Sequence, residues 1–329
     1  MSGVMRFLLQ AGFGLGLSLA MLMAVPAAAC LNDAEEDHID LENQQASALD
    51  QLLHPTTFDA EKWNRAVLDY EGDSVSQQAW ATGNSEQAAW DARNSYAVAL
   101  VYSGAFEKAR DVWIEMEERR PGEYKIAANL GTACELTGDN LNALKWINEG
   151  LKRNPDSHSG TEWLHARILE AKLALATDPD WLEHNRVTGM ESAFQDGRLQ
   201  AFSSSSMNNR GDTVSLGLMR MALQYQLKER LRFIRSADPM VAQLLVDLGD
   251  VELQSGSPRS ALVAYQRALD YGVSEAGLAE RMAYASGADR TARTRNLMFG
   301  IAGLLLVFLI VLVRRRQSQE HEGEMEQAM

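Results

Sequence analysis

The spacing of small side chains repeats three times along the chain, and this period limits the fold more than any other feature of the sequence. Gly104 and Gly138 lie 34 residues apart, as do Pro121 and Pro155. In each of three stretches the key positions are separated by seven, five, four and three residues: Ala97, Gly104, Ala109, Trp113 and Met116; Gly131, Gly138, Ala143, Ile147 and Gly150; and Gly249, Gly256, Ala261, Tyr265 and Ala268. This period predicts one helix–turn–helix unit per repeat, because units so short bury a core only by stacking.

The residue types at these positions fit a pair of antiparallel helices. Ala97, Gly131 and Gly249 are small enough for the first helix of each unit to approach the second. The glycine seven residues later predicts the end of the first helix, because a residue in the left-handed conformation closes the last turn. Pro121 and Pro155 predict the end of the second helix, which a proline cannot continue.

At these positions the chain resembles the tetratricopeptide repeat (TPR) family, most closely in residues 124–157. The other units are residues 90–123 and roughly 242–275. The third unit is out of register, since Gly256 lies 118 residues after Gly138 whereas three periods require 102. The resemblance, which extends to uncharacterised membrane-anchored TPR proteins of bacteria, implies an all-α, TPR-like helix-turn-helix solenoid.

The resemblance also implies a binding surface. TPR proteins generally bind peptides or partner proteins in a concave groove that the first helix of each unit lines. The corresponding positions, at which we expect another protein or peptide to bind, are Asn94, Val98, Val101, Tyr102, Lys125, Ala128, Thr132, Glu135, Glu162, Ala166 and Leu169. The family's clamp for a terminal carboxylate is not implied, because Val98, Ser159 and Trp163 occupy clamp positions and cannot grip a carboxylate.

An uncharged apolar run of 17 residues covers positions 297–313. At about 1.5 Å per residue, a helix of this length nearly matches the ~30 Å hydrocarbon core of a bilayer. Arg314, Arg315 and Arg316 follow directly, which favours a cytoplasmic position for that end. Three arginines also precede the run, at 290, 293 and 295, so the N-terminal signal sequence decides between the two orientations. We therefore expect one transmembrane helix at 297–313 and a short cytoplasmic tail at 314–329.

Residues 7–29 also carry no charge; Arg6 precedes them, and Ala27 and Ala29 form a signal-peptidase pattern. We expect cleavage before Cys30, which makes residues 1–29 a signal peptide. An uncleaved membrane helix and a lipid anchor at Cys30 stay open as alternatives. A translocated chain places the ectodomain on the periplasmic or extracellular side of the bacterial inner membrane.

Composition divides the rest of the ectodomain into four regions. We expect an acidic helical lead-in at residues 30–89 and TPR repeats plus a capping helix at residues 90–176. An Asp-Pro-Asp sequence breaks the helical pattern and begins an irregular insertion at residues 177–213. Residues 214–285 predict a long helix, 214–235, and then the third TPR-like unit. The expected buried stripe of the long helix is Leu218, Met221, Ala222, Tyr225, Leu231 and Ile234.

Charge and motifs exclude several kinds of chemistry. The net charge of −14 excludes a nucleic-acid-binding domain, because phosphate binding needs a basic surface. The sequence contains no phosphate-binding loop, no G-x-S-x-G elbow and no H-E-x-x-H motif. His158 and His165 could share a helix face with Glu162, but no fourth metal ligand is evident. We therefore expect neither a cofactor nor a metal, while a disulfide between Cys30 and Cys134 stays open.

The sequence thus predicts a non-enzymatic protein that acts by protein–protein interaction or scaffolding. Two alternatives stay open. An enzyme subunit could hold an acid–base site in residues 177–241, which contain Asp180, His184, Glu191 and Asp196. An open-ended solenoid could instead assemble with copies of itself as a structural protein.

Overall fold

The computed structural model describes residues 46–54, 59–83, 87–191, 193–195, 197–234 and 237–327. These residues form helices and one two-stranded antiparallel hairpin, which confirms the all-α prediction. In chain order the elements are α1 (Ala46–Leu53), α2 (Ala60–Gly72), α3 (Ser74–Ala81), α4 (Gln87–Tyr102), α5 (Phe106–Arg119), α6 (Tyr124–Leu136), α7 (Asn140–Arg153), the single turn α8 (Ser157–Gly160), α9 (Trp163–Leu175), the short α10 (Trp181–His184), β1 (Phe194–Gln195), β2 (Arg198–Leu199), α11 (Leu216–Leu231), α12 (Pro239–Gln254), α13 (Pro258–Asp270) and α14 (Glu275–Gln327). The predicted signal peptide at 1–29 lies outside the described residues.

Glycines end the first helix of each repeated unit, as the spacing predicts. Gly104, Gly138 and Gly256 have φ angles of +85°, +82° and +77° and follow α4, α6 and α12. In each turn the amide after the glycine donates to a carbonyl five residues earlier, at 2.8–2.9 Å. This hydrogen bond satisfies a carbonyl at the helix end, and the turn returns the chain as an antiparallel helix.

Glycine also permits the close approach of the two helices within a unit. A Cβ atom at Gly131 would lie 2.8 Å from Cδ1 of Ile147, and one at Gly249 would lie 2.2 Å from Cε1 of Tyr265. Both distances are shorter than any packed carbon–carbon contact, so a larger residue would push the helices apart. Two of the three small residues that the spacing singled out, Gly131 and Gly249, are therefore required by packing.

The helices stack in chain order from one hairpin to the next. The second helix of one hairpin packs on the first helix of the following one: α5 on α6, α7 on α9, α11 on α12 and α13 on α14. Helices α2 and α3, from the acidic lead-in, pack on α4 and extend the stack. Helix α1 packs at the other end on α13, where Arg267 Nε donates to the Leu53 carbonyl at 3.0 Å.

Two hydrophobic cores meet at α9, which corrects the prediction of a capping helix. Ala166 and Leu169 pack with the core of α3–α7. Trp163, Leu164 and Ile168 pack with the core of α1 and α11–α14. A cap keeps one polar face in water, whereas α9 is buried on both sides. The stack therefore continues past α9 into the C-terminal helices.

The long helix predicted at 214–235 is shorter than expected, and the side chains that it buries differ in part from the predicted stripe. It spans Leu216–Leu231, and Leu218, Met221 and Tyr225 are only half-buried. Its fully buried side chains include Met219, Leu223 and Leu227, together with the predicted Ala222 and Leu231, and the predicted Ile234 is buried beyond the helix end. Because α11 packs against both α9 and α12, it buries a broader face than one stripe provides.

Helix α14 joins the helical stack to the apolar run. Leu278 and Ala285 are buried, whereas residues 297–313 are all exposed. The segment Ala276–Arg314 is long and apolar enough to cross a membrane, with a mean hydropathy of 2.7 over its most apolar window and none of that window buried. The protein thus carries one helix with the length and composition of a single membrane span in the part of the chain that the structure describes.

We expect Gly249→Ala to destabilise the full-length protein in detergent by about 2 kcal/mol, because the added methyl overlaps the Tyr265 ring. Gly217→Ala is the matched control: a Cβ there meets no atom within 4 Å, so its free energy of unfolding should rise slightly or stay unchanged. Denaturant unfolding followed by circular dichroism measures both. Equal stability of the two variants would contradict the close helix approach.

Candidate partner-binding face

The predicted groove lining is not an open surface. Tyr102 and Lys125 are half-buried, and the other nine predicted residues are buried: Asn94, Val98, Val101, Ala128, Thr132, Glu135, Glu162, Ala166 and Leu169. These residues lie on α4, α6 and at the start of α9, as the repeat spacing predicts. Their burial corrects the expectation of a lining free for another polypeptide, and whether a partner reaches them stays a prediction.

The chain's own helix α11 and the turn after it cover part of this face. The ring of Tyr225 stacks on His158 with centroids 4.6 Å apart. Further along, Arg230 Nη2 lies 3.4 Å from Glu135 Oε1. Beyond the helix end, Phe233 stacks on Tyr102 at 5.7 Å. The segment therefore runs across the face from α9 past α6 to α4.

A long insertion brings α11 to this position. In the other hairpins the second helix follows a short turn, but about forty residues separate α9 from α11. These residues include α10, the β1–β2 hairpin and isolated bridges from Met190 to Ser204 and from Met207 to Thr213. The sequence gives one sign of this long insertion: Gly256 lies 118 residues after Gly138, whereas three repeat periods require only 102.

Asn94 has a structural role within the stack. Its Oδ1 accepts hydrogen bonds from Trp113 Nε1 at 2.9 Å and from Asn129 Nδ2 at 3.1 Å. All three residues are buried, so these bonds satisfy polar atoms that would otherwise be costly to bury. The bonds connect α4 with both α5 and α6.

Beneath α11 lies a buried chain of alternating carboxylate and imidazole groups. His165 Nε2 lies 2.7 Å from Glu135 Oε2, and His165 Nδ1 lies 2.7 Å from Glu162 Oε1. The second oxygen of Glu162 contacts Nδ1 of His158. Because both ring nitrogens of His165 face carboxylate oxygens, both bonds form only when the imidazole carries two protons and a positive charge.

The charges in this cluster shift the acid–base equilibria of its members. Burial lowers the pKa of His165, but the two carboxylates outweigh burial and hold that pKa above its ordinary value. Burial raises the pKa of Glu162, but His158 and His165 outweigh it and bring it down to about 2. Burial likewise opposes the ionisation of Glu135, yet Lys172, Arg230 and His165 keep its pKa far below the usual range. Glu135, Glu162 and His165 are thus held in their ionised forms.

Glu135 is the centre of the cluster. It is 2% exposed, and its carboxylate also accepts a hydrogen bond from Lys172 Nζ at 2.6 Å. Together with His165 and Arg230, it joins α6 to α9 and α11. Burying one carboxylate with several cations is stabilising only while all of them remain paired.

A left-handed turn positions His158 against this cluster. His158, Ser159 and Gly160 have φ angles of +50°, +56° and +75° in succession. For His158 and Ser159 this conformation costs roughly 1–3 kcal/mol each, and it persists because surrounding contacts fix it. Thr161 Oγ1 donates to the His158 carbonyl at 2.6 Å and closes the turn.

The face does not present a metal centre or a reactive thiol. Among the described residues, no group of three or more His, Cys, Asp or Glu side chains is arranged to hold a metal ion. Cys134 is a free, buried thiol, and burial raises its pKa to about 11. Its proposed disulfide partner, Cys30, lies outside the described residues.

The residues predicted for an acid–base site do not gather in one place. Asp180, His184 and Glu191 are exposed, and Asp196 lies outside the described residues. The buried polar groups of this region instead contact Asp247, which contacts Arg186 and accepts from Thr188 Oγ1 at 2.5 Å.

Asp247 belongs to a second buried charge cluster that the sequence did not reveal. Neighbouring Asp250 accepts from Tyr265 at 2.7 Å and from Arg281 Nε at 2.8 Å. Burial raises the pKa of Asp247 to about 6 despite the nearby Arg186. This cluster ties the insertion to α12, α13 and α14, so it joins elements rather than forming an open cleft.

No protein-family model matches the chain, and no curated protein matches it. The class is therefore defined by the structure alone: an all-α protein of stacked helices with one C-terminal helix able to span a membrane.

We expect Glu135→Ala to lower the free energy of unfolding by about 3–5 kcal/mol, because it leaves buried cations without their carboxylate. The control is Glu149→Ala: Glu149 pairs with Arg153 and Lys152 at the partly exposed surface, so its loss should cost less than about 1 kcal/mol. Denaturant unfolding of the full-length protein distinguishes the two. A small effect of Glu135→Ala would show that α11 does not depend on this cluster.

The raised pKa of His165 predicts a loss of stability at alkaline pH. A group whose pKa is higher in the folded state stabilises the fold fully below its unfolded value of about 6.5, and this contribution disappears as pH rises through the folded value. The pKa of Asp247 is also higher in the folded state, so its contribution to stability is likewise lost as pH rises. This loss occurs at lower pH, between the unfolded pKa of 3.8 and the folded pKa of about 6.

The measurement is the melting temperature between pH 6.5 and 9.5. We expect it to fall in the wild-type protein, and His165→Gln should flatten this fall because the amide does not titrate. His184→Gln changes an exposed histidine and should keep the wild-type slope. An unchanged slope in His165→Gln would contradict the doubly protonated imidazole.

Proposed function

We propose that the protein is a non-enzymatic interaction or scaffolding module of the bacterial cell envelope. Its stacked helices, which resemble TPR repeats, bind another protein or a peptide, and residues 297–313 hold them at the inner membrane as a single-pass anchor. The observation that carries this proposal is the continuity of α14, because one helix runs from the buried side chain of Leu278 into an exposed apolar segment.

The proposed orientation places the helical stack outside the cytoplasm. A cleavable signal peptide at 1–29 would start translocation before the chain reaches α14. The apolar run would then stop translocation, and Arg314, Arg315 and Arg316 favour the cytoplasmic side for the tail. The stack therefore faces the periplasm or the exterior, and the C-terminus faces the cytoplasm.

The partner binds, in this proposal, while α11 remains in place. Leu223, Leu227 and Leu231 of α11 are fully buried, and Arg230 contacts Glu135 in the interior. Fully burying each leucine contributes about 1.5–3 kcal/mol, so exposing all three by displacing α11 would use most of the roughly 8 kcal/mol that a micromolar peptide ligand returns. The binding surface thus includes what stays accessible around α11, such as Lys125, whereas Tyr102 is packed between Trp63 and Phe233.

The test is cross-linking in spheroplasts with an amine-reactive reagent that does not cross the membrane. We expect the tagged full-length protein to yield one or a few specific polypeptides by mass spectrometry. The matched control keeps the N-terminal segment and α14 but lacks residues 46–274, and it should not yield them. Recovery of the same proteins with both chains would contradict the proposal, and recovery of only further copies of this chain would support the self-assembly alternative instead.

A second variant tests the place of α11. Replacing Tyr102 and Phe233 by cysteine and joining them with a short bis-maleimide holds the end of α11 against α4, where the two rings stack in the native protein. We expect partner capture to be unchanged relative to the single-cysteine variants treated with the same reagent. Loss of capture in the joined protein alone would show that the partner replaces α11.

A further inference from the structure

We propose that α14 carries a binding face for anionic phospholipids at the ectodomain boundary of the membrane. The inference rests on the membrane anchor of the proposed function. The face is lined by Arg290, Thr291, Thr294, Arg295, Met298 and Phe299, which together border one shallow cleft.

Helical geometry places two kinds of side chain on this face. Because an α-helix has 3.6 residues per turn, positions spaced by one, four, five, eight and nine residues lie on the same side. Arg290 and Arg295 therefore stand above Met298 and Phe299, and the last two belong to the apolar run. The whole face measures about 13 Å along the helix axis. Its apolar end enters the hydrocarbon while its arginines lie at the depth of lipid phosphates.

The arginines of this face are available for a ligand. Both guanidinium side chains are exposed, and no carboxylate pairs with either of them within the described ranges. Arg293 lies on the opposite side of the helix and forms an ion pair with Asp289 at 2.5 Å. The chain therefore neutralises one of its three boundary arginines and leaves the other two exposed toward the membrane.

The charge of the rest of the chain makes this face distinctive. The protein carries 45 acidic and 31 basic residues, so most of its surface repels anionic lipid. A guanidinium matches a phosphate with two parallel hydrogen bonds. Two neighbouring guanidinium groups without a carboxylate repel the ammonium of a zwitterionic headgroup, so the face selects a lipid whose headgroup carries net negative charge.

The hydroxyl groups of the face complement such a headgroup. Thr291 Oγ1 and Thr294 Oγ1 donate to the carbonyls of Gly287 and Arg290 at 3.0 Å each. Their oxygens keep lone pairs and can accept a hydrogen bond from a glycerol headgroup. The occupant that fits is therefore a phospholipid with a phosphodiester, a glycerol-type headgroup and an acyl chain along Met298 and Phe299.

The experiment measures lipid binding to the full-length protein by native mass spectrometry in detergent. Phosphatidylglycerol and phosphatidylcholine are titrated separately. Arg290→Gln combined with Arg295→Gln should weaken phosphatidylglycerol binding about 30-fold and leave phosphatidylcholine binding unchanged. Arg293→Gln is the matched control and should change phosphatidylglycerol binding less than threefold, because its charge is already paired.

Two outcomes would overturn the inference: the double variant binding phosphatidylglycerol as the wild type does, or Arg293→Gln weakening it equally. Carbonate extraction of native membranes tests independently whether α14 spans the membrane. Release of the wild-type protein by carbonate would contradict the membrane span itself, whereas retention of all variants without any lipid preference would contradict only the binding face.

Discussion

One buried carboxylate, that of Glu135, keeps α11 packed over the residues predicted to bind a partner. It pairs with Lys172, His165 and Arg230, which reach it from α9 and α11. A buried charge is costly unless its partners stay in place, and each partner here depends on the same carboxylate. The pairing therefore holds α11 across α6 and α9 as part of the fold. A surface that would be a binding groove in an open helical stack is largely interior in this molecule.

The second charge cluster, around Asp247 and Asp250, also joins separate elements of the fold. Asp247 and Asp250 connect the insertion, through Arg186, with Arg281 of α14. Arg281 lies in the same continuous helix as the apolar run, so the packing of the insertion and the direction of α14 depend on shared contacts. In the two clusters the buried Arg230 and the partly buried Arg186 and Arg281 balance carboxylates that would otherwise be unpaired in the interior.

The proposals for partner and lipid binding concern different surfaces and rest on different observations. Partner binding depends on the helical stack and on what α11 leaves accessible around Lys125. Lipid binding depends only on one face of α14 at the boundary of its apolar run. An acidic ectodomain with the exposed Arg290 and Arg295 where it meets the membrane would be held close to anionic lipid at that point, while its net negative charge repels such lipid.

The sequence by itself determined the helical hairpins, the turns at Gly104, Gly138 and Gly256 and the apolar run, because these depend on local conformation, a short period and composition. It also placed the groove residues on the correct helices. Only the tertiary structure decided that α9 is buried on both sides and that α11 covers the groove. Those results depend on contacts between residues as distant as Glu135 and Arg230, and on a left-handed turn at His158, for which no periodic pattern exists.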